Sequence, residues 1–536
     1  MLNKLLSGAA LAAALSAPGL AGAADFQLRI LHVNDVHARY DEVTATGTSC
    51  TQKDRDANKC VAGAARLATK LKELRGSAPN SLFLDAGDQF QGTLFYTKFK
   101  DEAPRTFLSM LGADAQAVGN HEFDDGPKGL ASYLAGVKWP VLSANTDVSG
   151  EPLLAGKIPG SAVLTVGGEK VGIIGLTTPE TPVSSSPGAT VKFGSEVEAA
   201  KAEVAKLQQQ GVNKIIALTH LGLSVDRALA AQVDGIDVIV GGHSHSLLQT
   251  GNDKAAGSYP LLAKSPSGRD VPIVTAMAYG IYLGKLDVTF DAAGNVTAAS
   301  GEPVMLENAV AKDPAVEAQI QRFNEPLMAL KAEKVGKSAV ELVGASDQCR
   351  FQECVMGNLI ADAMLDAAKS QGAQVAIMNG GGIRSSIPAG DITMGQVIEV
   401  LPFSNTLAWG DVKGEALAKA IEGGVARAHD KNASGTGRFP QVAGLKYSFD
   451  ASKPEGQRVQ SVEIRQADGS FKPIDPAATY KVVTNNFVRS GGDGYPFADA
   501  KNAYDFGPNL EDVVAAYIKA KGEVAPKVDG RIVRAN

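Results

Sequence analysis

The feature that most constrains the fold is a series of short apolar runs, each of which ends in a polar cluster. Four of them are LRILHVNDVH (28–37), SLFLDAGD (81–88), KIIALTHLG (214–222) and DVIVGGHSH (237–245). Stretches with helical spacing, at 63–75 and 196–210, lie between such runs. Apolar or β-branched runs that alternate with helices are typical of buried strands in an α/β fold. Because ligands of such sheets bind where the strands end at their carboxyl side, we expect a functional site at the polar clusters.

The length of the chain predicts more than one domain. It has 536 residues, whereas one domain commonly has about 100–200. Asp313 and Pro314 begin a stretch whose apolar residues are spaced four and three apart, which predicts a helix capped by Asp313 and kinked at Pro326. We expect a signal segment at 1–24, a first domain at 25–312, a linker helix region at 313–338 and a separate α/β domain at 339–536.

The N-terminus has the parts of a secretory signal peptide, namely Lys4, an apolar stretch and the small residues AGAA before Asp25. We expect its cleavage and a periplasmic or secreted protein. Because no Cys follows the apolar run and the C-terminal residues DGRIVRAN are polar, we expect no membrane anchor. The net charge of −6 provides no basic surface for a nucleic acid polymer. The sequence leaves open whether the protein is a monomer or a dimer.

The four cysteines form two pairs that are close in sequence, Cys50 with Cys60 and Cys349 with Cys354. Three connectivities are possible, and a Cys₄ zinc site is a further alternative. Local closure costs the least chain entropy, and an oxidising compartment favours disulfides over a zinc site. We therefore expect two short disulfide loops.

Side chains at the ends of the apolar runs have the chemistry of metal ligands. They are Asp35, His37, Asp88, Asn120, His121, His220, His243 and His245. Five of the 7 histidines of the chain are among them. Carboxylate, imidazole and amide groups suit divalent ions such as Zn²⁺ or Mn²⁺. The set is too large for one catalytic ion with an open position, but it suffices for two ions that share a carboxylate, for which Asp88 is the natural bridge. Glu122 and Asp125 receive no role and are interpreted as loop polarity.

The second half of the chain contains residues suited to an anion. A Gly-rich turn at 379–384, which includes Gly381, can bring backbone N–H groups and the Arg384 guanidinium to a phosphate. Arg350 lies between the second pair of cysteines, where a disulfide would fix its direction. The alternatives are a plain turn and a surface ion-pair residue, and the residues alone do not decide between them.

Two aromatic residues of the second half are candidates for base stacking. Phe403 and Phe487 each lie in a loop after an apolar run and could stack on the two faces of a base. Each phenylalanine could instead fill a hydrophobic core. Asp493 could simply cap a turn.

The order DxH, GDxxxG, GNHE, His and GGHSH resembles that of the calcineurin-like metallophosphoesterases. The resemblance implies a β-sandwich flanked by helices, with two ion sites. One ion would be held by Asp35, His37, Asp88 and His245, and the other by Asp88, Asn120, His220 and His243. His121 would not be a ligand but would face the scissile phosphate, with Asp124 behind it. An imidazole oriented by a carboxylate can stay cationic and stabilise phosphoryl charge. Zinc is the expected metal, with manganese, cobalt or magnesium as alternatives.

The second half is similar to the C-terminal domain of the 5'-nucleotidase family. The similarity rests on CRFQECVMGNLIADAM, NGGGIRSSI and NFVRSGGDGY, and on the first cysteine pair followed by GAARL. The similarity to the 5'-nucleotidase family as a whole covers essentially the whole mature chain. It implies that adenine is sandwiched by Phe403 and Phe487, that Asn379 bonds the base, that Asp493 bonds the ribose hydroxyls, and that Arg350 and Arg384 contact phosphate and ribose.

We therefore predict an exported phosphoric monoester hydrolase. It would hydrolyse nucleoside 5'-monophosphates, with AMP as the expected substrate, by a water that two metals activate. The resemblance also implies a rotation between the domains, with the hinge near 313–335. The alternatives are a UDP-sugar hydrolase, a 2',3'-cyclic-nucleotide phosphodiesterase with 3'-nucleotidase activity, a thiosulfohydrolase, and a non-catalytic nucleotide-binding surface protein. The paired aromatics favour a nucleotide over a sulfur substrate, and the complete set of metal-ligand candidates argues against a non-catalytic protein.

Overall fold

The structure is a computed structural model that describes residues 25–535, apart from positions 46, 48, 51, 404, 431, 434 and 506. The expected signal peptide at 1–24 lies outside the described residues. Within the part of the chain that is described, no helix has the length and apolar character needed to span a membrane.

Two six-stranded sheets form the first half of the chain. The strand order in the first sheet is Val296–Met305, Tyr282–Phe290, Phe26–Val33, Ser81–Asp85, Ala115–Ala117 and Val141–Leu142. The order in the second sheet is Leu261–Lys264, Asp270–Val274, Val238–Gly241, Ile215–His220, Glu169–Thr177 and Ser161–Val166. Each sheet has a group of four parallel strands and at least one antiparallel edge.

The strand Phe26–Val33 shows why the sheets stack. Leu28 and Ile30 pack in the core between the two sheets, whereas Leu31 and Val33 pack on the opposite face, against helices. Successive strand residues point to opposite faces, so a strand covered on both sides must be apolar almost throughout. The first half is therefore a β-sandwich flanked by helices, which confirms the expected fold class.

The first half also contains helices, most of which pack on the sheets, whereas Gln52–Asp56 has no buried residue. They are Gln52–Asp56, Ala64–Gly76, Leu94–Phe99, Glu102–Leu111, Gly126–Leu134, Thr181–Ser184, Glu196–Gln209 and Leu223–Ala230. Two short strand pairs accompany them, Val43–Thr44 with Cys60–Val61 and Thr146–Asp147 with Lys192–Phe193. The helices predicted at 63–75 and 196–210 are thus present.

A broken helix follows the sandwich. Asp313 caps the helix Pro314–Asn324 by accepting hydrogen bonds from the backbone N–H groups of Ala315 and Val316 at 3.0 and 3.1 Å. A 3₁₀ turn at Glu325–Leu327 and a short helix at Met328–Ala332 continue the segment. The interruption falls at Pro326, because proline has no N–H for the helical hydrogen-bond ladder.

Three sheets build the second half. A five-stranded sheet has the order Pro440–Ala443, Val375–Asn379, Thr479–Asn485, Leu407–Lys413 and Lys501–Tyr504. A four-stranded sheet has the order Phe471–Pro473, Val459–Arg465, Leu445–Phe449 and Ile532–Arg534. The third contains Gly390–Thr393, Lys334–Ser338 and Glu523–Val524.

Helices and turns of the second half enclose two further apolar cores. The helices are Ser346–Cys349, Val355–Ala367, Met394–Val400, Gly414–Gly424, Asn486–Arg489 and Leu510–Lys521. The 3₁₀ turns are Lys369–Gln371, Gly380–Gly382, Thr436–Arg438 and Gly492–Gly494. Cys349 and Cys354 form a disulfide here, as Cys50 and Cys60 do in the first half, so both expected loops are closed.

Candidate active site

Two groups of metal-ligand side chains meet at the carboxyl ends of the parallel strands. Ligand atoms of Asp35, His37 and His245 all lie within 4.8 Å of one another. Those of Asp88, His220 and His243 do the same. Each group therefore combines side chains from both sheets of the sandwich.

Asp88 lies between the two groups. Its Oδ2 is 3.1 Å from Nε2 of His220 and 3.7 Å from Nε2 of His37. Asp35 similarly approaches His245, at 3.3 Å, and His220, at 4.0 Å. A carboxylate that reaches histidines of both groups has the position of a bridging ligand between two ions.

The backbone is bent to present these side chains. The φ angles of Asp35, His37, Asp88, His243 and His245 are 50, 50, 58, 77 and 53°. Left-handed backbone at non-glycine residues costs about 1–3 kcal/mol each, and such positions tend to cluster at active sites. Five such positions in one cluster indicate that this geometry is functional.

Two buried atoms show that the cluster fits metal ions. Among the described residues, Oδ1 of Asn120 has no hydrogen-bond partner, and Nε2 of His220 faces the Asp88 carboxylate at 3.1 Å, with which it can pair only when the ring is protonated. The other ring nitrogen of His220 lies 2.7 Å from the backbone oxygen of Ala86 and so carries the proton in the neutral ring, which leaves a lone pair on Nε2. Leaving such buried groups unsatisfied costs about 1–3 kcal/mol each, and divalent ions would satisfy both.

The electrostatics of the cluster also favour cations. Burial lowers the pKa of His243 to about 3 and holds the pKa of His37 well below its usual value, so both imidazoles can act as neutral ligands. Burial opposes charge on His220 as well, but the carboxylates of Asp88 and Asp35 outweigh it and raise the pKa of His220 to about 10. The carboxylates thus attract positive charge strongly.

His121 and Asp124 form a pair beside the metal-ligand cluster. Nδ1 of His121 lies 2.6 Å from Oδ2 of Asp124, and the hydroxyl of Ser185 donates to Oδ1 of Asp124 at 2.6 Å. Burial lowers the pKa of His121, but the carboxylates of Asp124 and Asp88 outweigh it and raise the pKa above its usual value. His121 can therefore be cationic. Ser185 belongs to an ordinary SSSP run, in which the sequence offered no signal for this contact.

The structure corrects the interpretation of Glu122 as loop polarity. It is buried and accepts hydrogen bonds from the backbone N–H groups of Asp88 at 3.0 Å, Gln89 at 2.8 Å and Gly119 at 2.7 Å. One carboxylate thereby fixes the loop that carries Asp88 to the loop that carries Asn120. Asp125, in contrast, accepts a hydrogen bond from the Tyr96 hydroxyl at 2.7 Å and lies outside the cluster.

One cavity of about 150 Å³ joins the metal-ligand cluster to the second half of the chain. All of the residues predicted to bind substrate line it: Arg350, Asn379, Gly381, Arg384, Phe403, Phe487 and Asp493. From the predicted metal and catalytic residues, Asp88, Asn120, His121, Asp124, His243 and His245 line it as well. Asp35, His37 and His220 lie buried behind this wall.

Phe403 and Phe487 have different neighbours in the cavity. The ring of Phe403 lies 5.7 Å from the ring of His121, centroid to centroid. The ring of Phe487 packs on Gly492, where a Cβ would come within 2.5 Å of Cζ of the ring. A side chain at position 492 would therefore displace Phe487.

Asn379 makes contacts that the sequence did not predict. Its Nδ2 donates to Oδ2 of Asp493 at 2.6 Å, and its Oδ1 accepts from Nδ2 of Asn485 at 2.9 Å. Asn379 thus holds Asp493 in place, whatever else it binds. Asn485 was missed because nothing in its local sequence distinguishes it from an ordinary strand-end residue.

The sandwich fold and the paired ligand groups define a metal-dependent phosphoesterase. The calcineurin-like phosphoesterase family matches residues 28–247, and the C-terminal domain of 5'-nucleotidase matches residues 334–500. Similar proteins include the snake venom 5'-nucleotidase of Naja atra, 42% identical over 95% of this chain and 98% of its own, and the 5'-nucleotidase of Bos taurus, 42% identical over 95% and 91%.

A solved structure agrees with these relatives. The 5'-nucleotidase precursor of Thermus thermophilus is 43% identical, covers 95% of this chain and 100% of its own, and superposes with a TM-score of 0.89. The chain belongs to the 5'-nucleotidase family.

Proposed function

We propose that the protein is a 5'-nucleotidase that hydrolyses nucleoside 5'-monophosphates, AMP foremost, to nucleoside and phosphate. The observation that carries this proposal is that one cavity has a two-ion ligand cluster on one wall and the aromatic residues Phe403 and Phe487 on the other. Only a substrate with both a phosphate and a base uses both walls. The names of the relatives agree with it.

The metal-ligand residues would hold two divalent ions that share Asp88. Asp35, His37 and His245 would complete one site, and Asn120, His220 and His243 the other. Imidazole-rich sites with carboxylates suit zinc, and manganese, cobalt or magnesium are the alternatives that metal replacement would test. When bound, two such ions supply Lewis acidity at the phosphoryl group and a water nucleophile of lowered pKa.

His121 would act on the phosphoryl group and the leaving oxygen. Because Asp124 holds Nδ1, the free ring nitrogen is Nε2. An imidazolium in this orientation can donate a hydrogen bond to a phosphoryl oxygen and then pass its proton to the departing 5' oxygen. Ser185 would keep Asp124 turned toward the ring.

Arg350 and Arg384 would hold the phosphate from the second half. Among the described residues, Nε of each has no hydrogen-bond partner although it is buried. A phosphate accepts hydrogen bonds from guanidinium groups in this way. Asp493 would then bind the ribose hydroxyls, and the two phenylalanines would stack on the base.

The proposal also includes domain boundaries at 312 and 338, a hinge near 313–335, and export of the protein. Separate apolar cores lie on either side of the broken helix, which supports the domain boundaries and the hinge. The two disulfides support export, because disulfides persist in oxidising compartments.

The test follows the products of AMP, ADP, UDP-glucose and 2',3'-cyclic AMP by chromatography, and sulfate release from a sulfate ester, before and after chelation and after return of single metals. We expect AMP to be hydrolysed, and zinc to restore the activity that the chelator removes. Activity on AMP that survives complete metal removal would contradict the mechanism. Hydrolysis of UDP-glucose or of the cyclic nucleotide without hydrolysis of AMP would mean that this compound, and not AMP, is the substrate.

A further inference from the structure

If the proposed function holds, the residues predicted to bind substrate offer the edge of a bound base too few hydrogen-bond partners. Phe403 and Phe487 can contact only its faces. Asn379 has one free amide proton and one free lone pair on Oδ1, because its other positions are bound to Asp493 and Asn485. A purine base presents hydrogen-bonding groups along both its Watson–Crick and its Hoogsteen edge, which is more than one amide can pair. Further partners for the base must therefore come from elsewhere in the cavity.

Arg438 and Glu180 line the same cavity and have no role so far. Arg438 ends the turn Thr436–Arg438 of the second half, and Glu180 directly precedes the helix Thr181–Ser184 of the first half. A Cβ built on Gly435 would lie 2.9 Å from Nη2 of Arg438 and 3.1 Å from Oε2 of Glu180. The two charged groups thus face one small space, which the absence of a side chain at Gly435 keeps open.

The two groups do not satisfy each other. They make no ion pair within 4.0 Å, and Nε of Arg438 is buried without a hydrogen-bond partner among the residues that the structure describes. A donor and an acceptor that face the same space without meeting can bind a group that offers both functions side by side.

The turn that carries Arg438 is fixed beside the expected ribose site. The Tyr495 hydroxyl donates to the backbone oxygen of Arg438 at 2.6 Å. A Cβ on Gly381 would lie 3.0 Å from Cα of Gly437, and a Cβ on Gly437 would lie 3.9 Å from Oδ2 of Asp493. Arg438 is therefore the next side chain along the wall from the residue expected to bind the sugar.

We propose that Arg438 and Glu180 recognise the edge of a purine base, with Arg438 donating to a ring nitrogen or carbonyl oxygen and Glu180 accepting from a neighbouring N–H group. Adenine, hypoxanthine and guanine all present such a neighbouring pair. The larger purine ring can reach from a sugar at Asp493 across to Glu180 of the opposite half. Since the two residues come from different halves, the base edge would also help to hold the halves together.

The experiment compares Arg438→Met and Glu180→Met with the wild-type protein, all loaded with the same metal. The substrates are AMP, IMP, GMP, UMP and ribose 5-phosphate, which has no base. For each variant we expect kcat/KM to fall roughly ten- to a hundredfold on the purine nucleotides, mainly through KM, and to change little on ribose 5-phosphate. Arg427→Met is the matched control, because Arg427 is a partly exposed arginine outside the cavity lining whose Nη1 lies 3.6 Å from Glu455.

Equal losses on AMP and on ribose 5-phosphate, or no loss on AMP, would overturn the inference. A loss on UMP as large as that on AMP would overturn its purine part. If the wild-type protein releases no phosphate from any nucleotide, the proposed function fails, and calorimetric binding of adenosine then decides the inference. Weaker adenosine binding by Arg438→Met would support it, and unchanged binding would refute it.

Discussion

Nη2 of Arg384 lies 3.1 Å from Nε2 of His37, so a guanidinium of the second half touches a metal-ligand residue of the first. The same guanidinium lies 5.7 Å from the centre of the Phe403 ring. A phosphate bound by Arg384 would therefore lie next to the metal-ligand cluster, with the stacking site beside it. We therefore expect substrate recognition and chemistry to meet at this side chain.

Arg39 holds this contact in place and provides the first prediction. Its Nη2 donates to the backbone oxygen of Arg384 at 3.1 Å, its Nε donates to Gly47 at 2.9 Å, and its guanidinium lies 3.8 Å above the Tyr279 ring. Arg39→Met should raise KM for AMP about tenfold or more. Metal content, measured by mass spectrometry, should stay at the wild-type value; a loss of metal would mean that Arg39 supports the His37 loop instead.

His121→Ala should lower kcat by about 10²–10⁴, the usual contribution of a general acid. The number of bound metal ions should not change, because His121 belongs to neither ligand group. Asp124→Asn should have a smaller effect in the same direction, since it weakens the 2.6 Å contact but leaves the ring. Loss of a metal equivalent in His121→Ala would show that His121 is itself a ligand.

Glu122→Gln should destabilise the protein and weaken its metal binding. The change puts an amide N–H₂ where backbone N–H groups of Asp88, Gln89 and Gly119 need an acceptor. Unsatisfied buried donors cost about 1–3 kcal/mol. Urea unfolding and metal titration would measure both effects. Glu198→Gln is the control, because Glu198 is exposed and pairs only with Lys201; equal behaviour of the two variants would exclude the role assigned to Glu122.

Metal removal should lower thermal stability as well as activity. The ions bind the folded state through residues of both sheets, so the stabilisation grows with the ratio of free metal to Kd and reaches about 2.7 kcal/mol at a hundredfold excess. Thermal unfolding with and without chelator would measure it. The same treatment of Asp88→Asn should shift the melting temperature less, and an equal shift would argue against Asp88 as a shared ligand.

Asp237 should make stability depend on pH. Burial raises the pKa of its carboxyl to about 7, although the backbone N–H of Ile215 at 2.8 Å favours the charged form. In the unfolded chain the pKa is about 4, so the folded state holds the proton more tightly, and stability falls as the pH rises from about 4 to 7, by about 1.4 kcal/mol per unit of pKa difference.

Asp237→Asn cannot ionise and should lose less stability over this range. Urea unfolding at about pH 5 and pH 8 would measure the difference. The exposed Asp270 provides the control, because Asp270→Asn should keep the wild-type pH dependence. An Asp237→Asn slope equal to that of the wild-type protein would contradict the prediction.

The residues of the sequence by themselves indicated buried α/β strands with a site at their carboxyl ends, and the resemblance to the calcineurin-like metallophosphoesterases added the sandwich and the roles of the site residues. The carboxyl ends of parallel strands in one sheet meet at one edge, which brings NDVH and GNHE together in the first sheet. GGHSH belongs to the second sheet and joins them because the two sheets stack. The helix beginning at Asp313 and the two disulfides follow from equally local signals, a capping residue and short cysteine spacings.

Only the tertiary structure decided which partner each polar side chain takes. The residues that the sequence missed or misread are Glu122, Ser185 and Asn485, together with the proposed pair Arg438 and Glu180. Their neighbours lie far away in the chain: the Asp88 loop for Glu122, Asp124 for Ser185, Asn379 for Asn485, and Glu180 opposite Arg438 across the two halves. A contact between distant segments leaves no period or spacing in the local sequence, because the packing of sheets and halves alone brings the two side chains within reach.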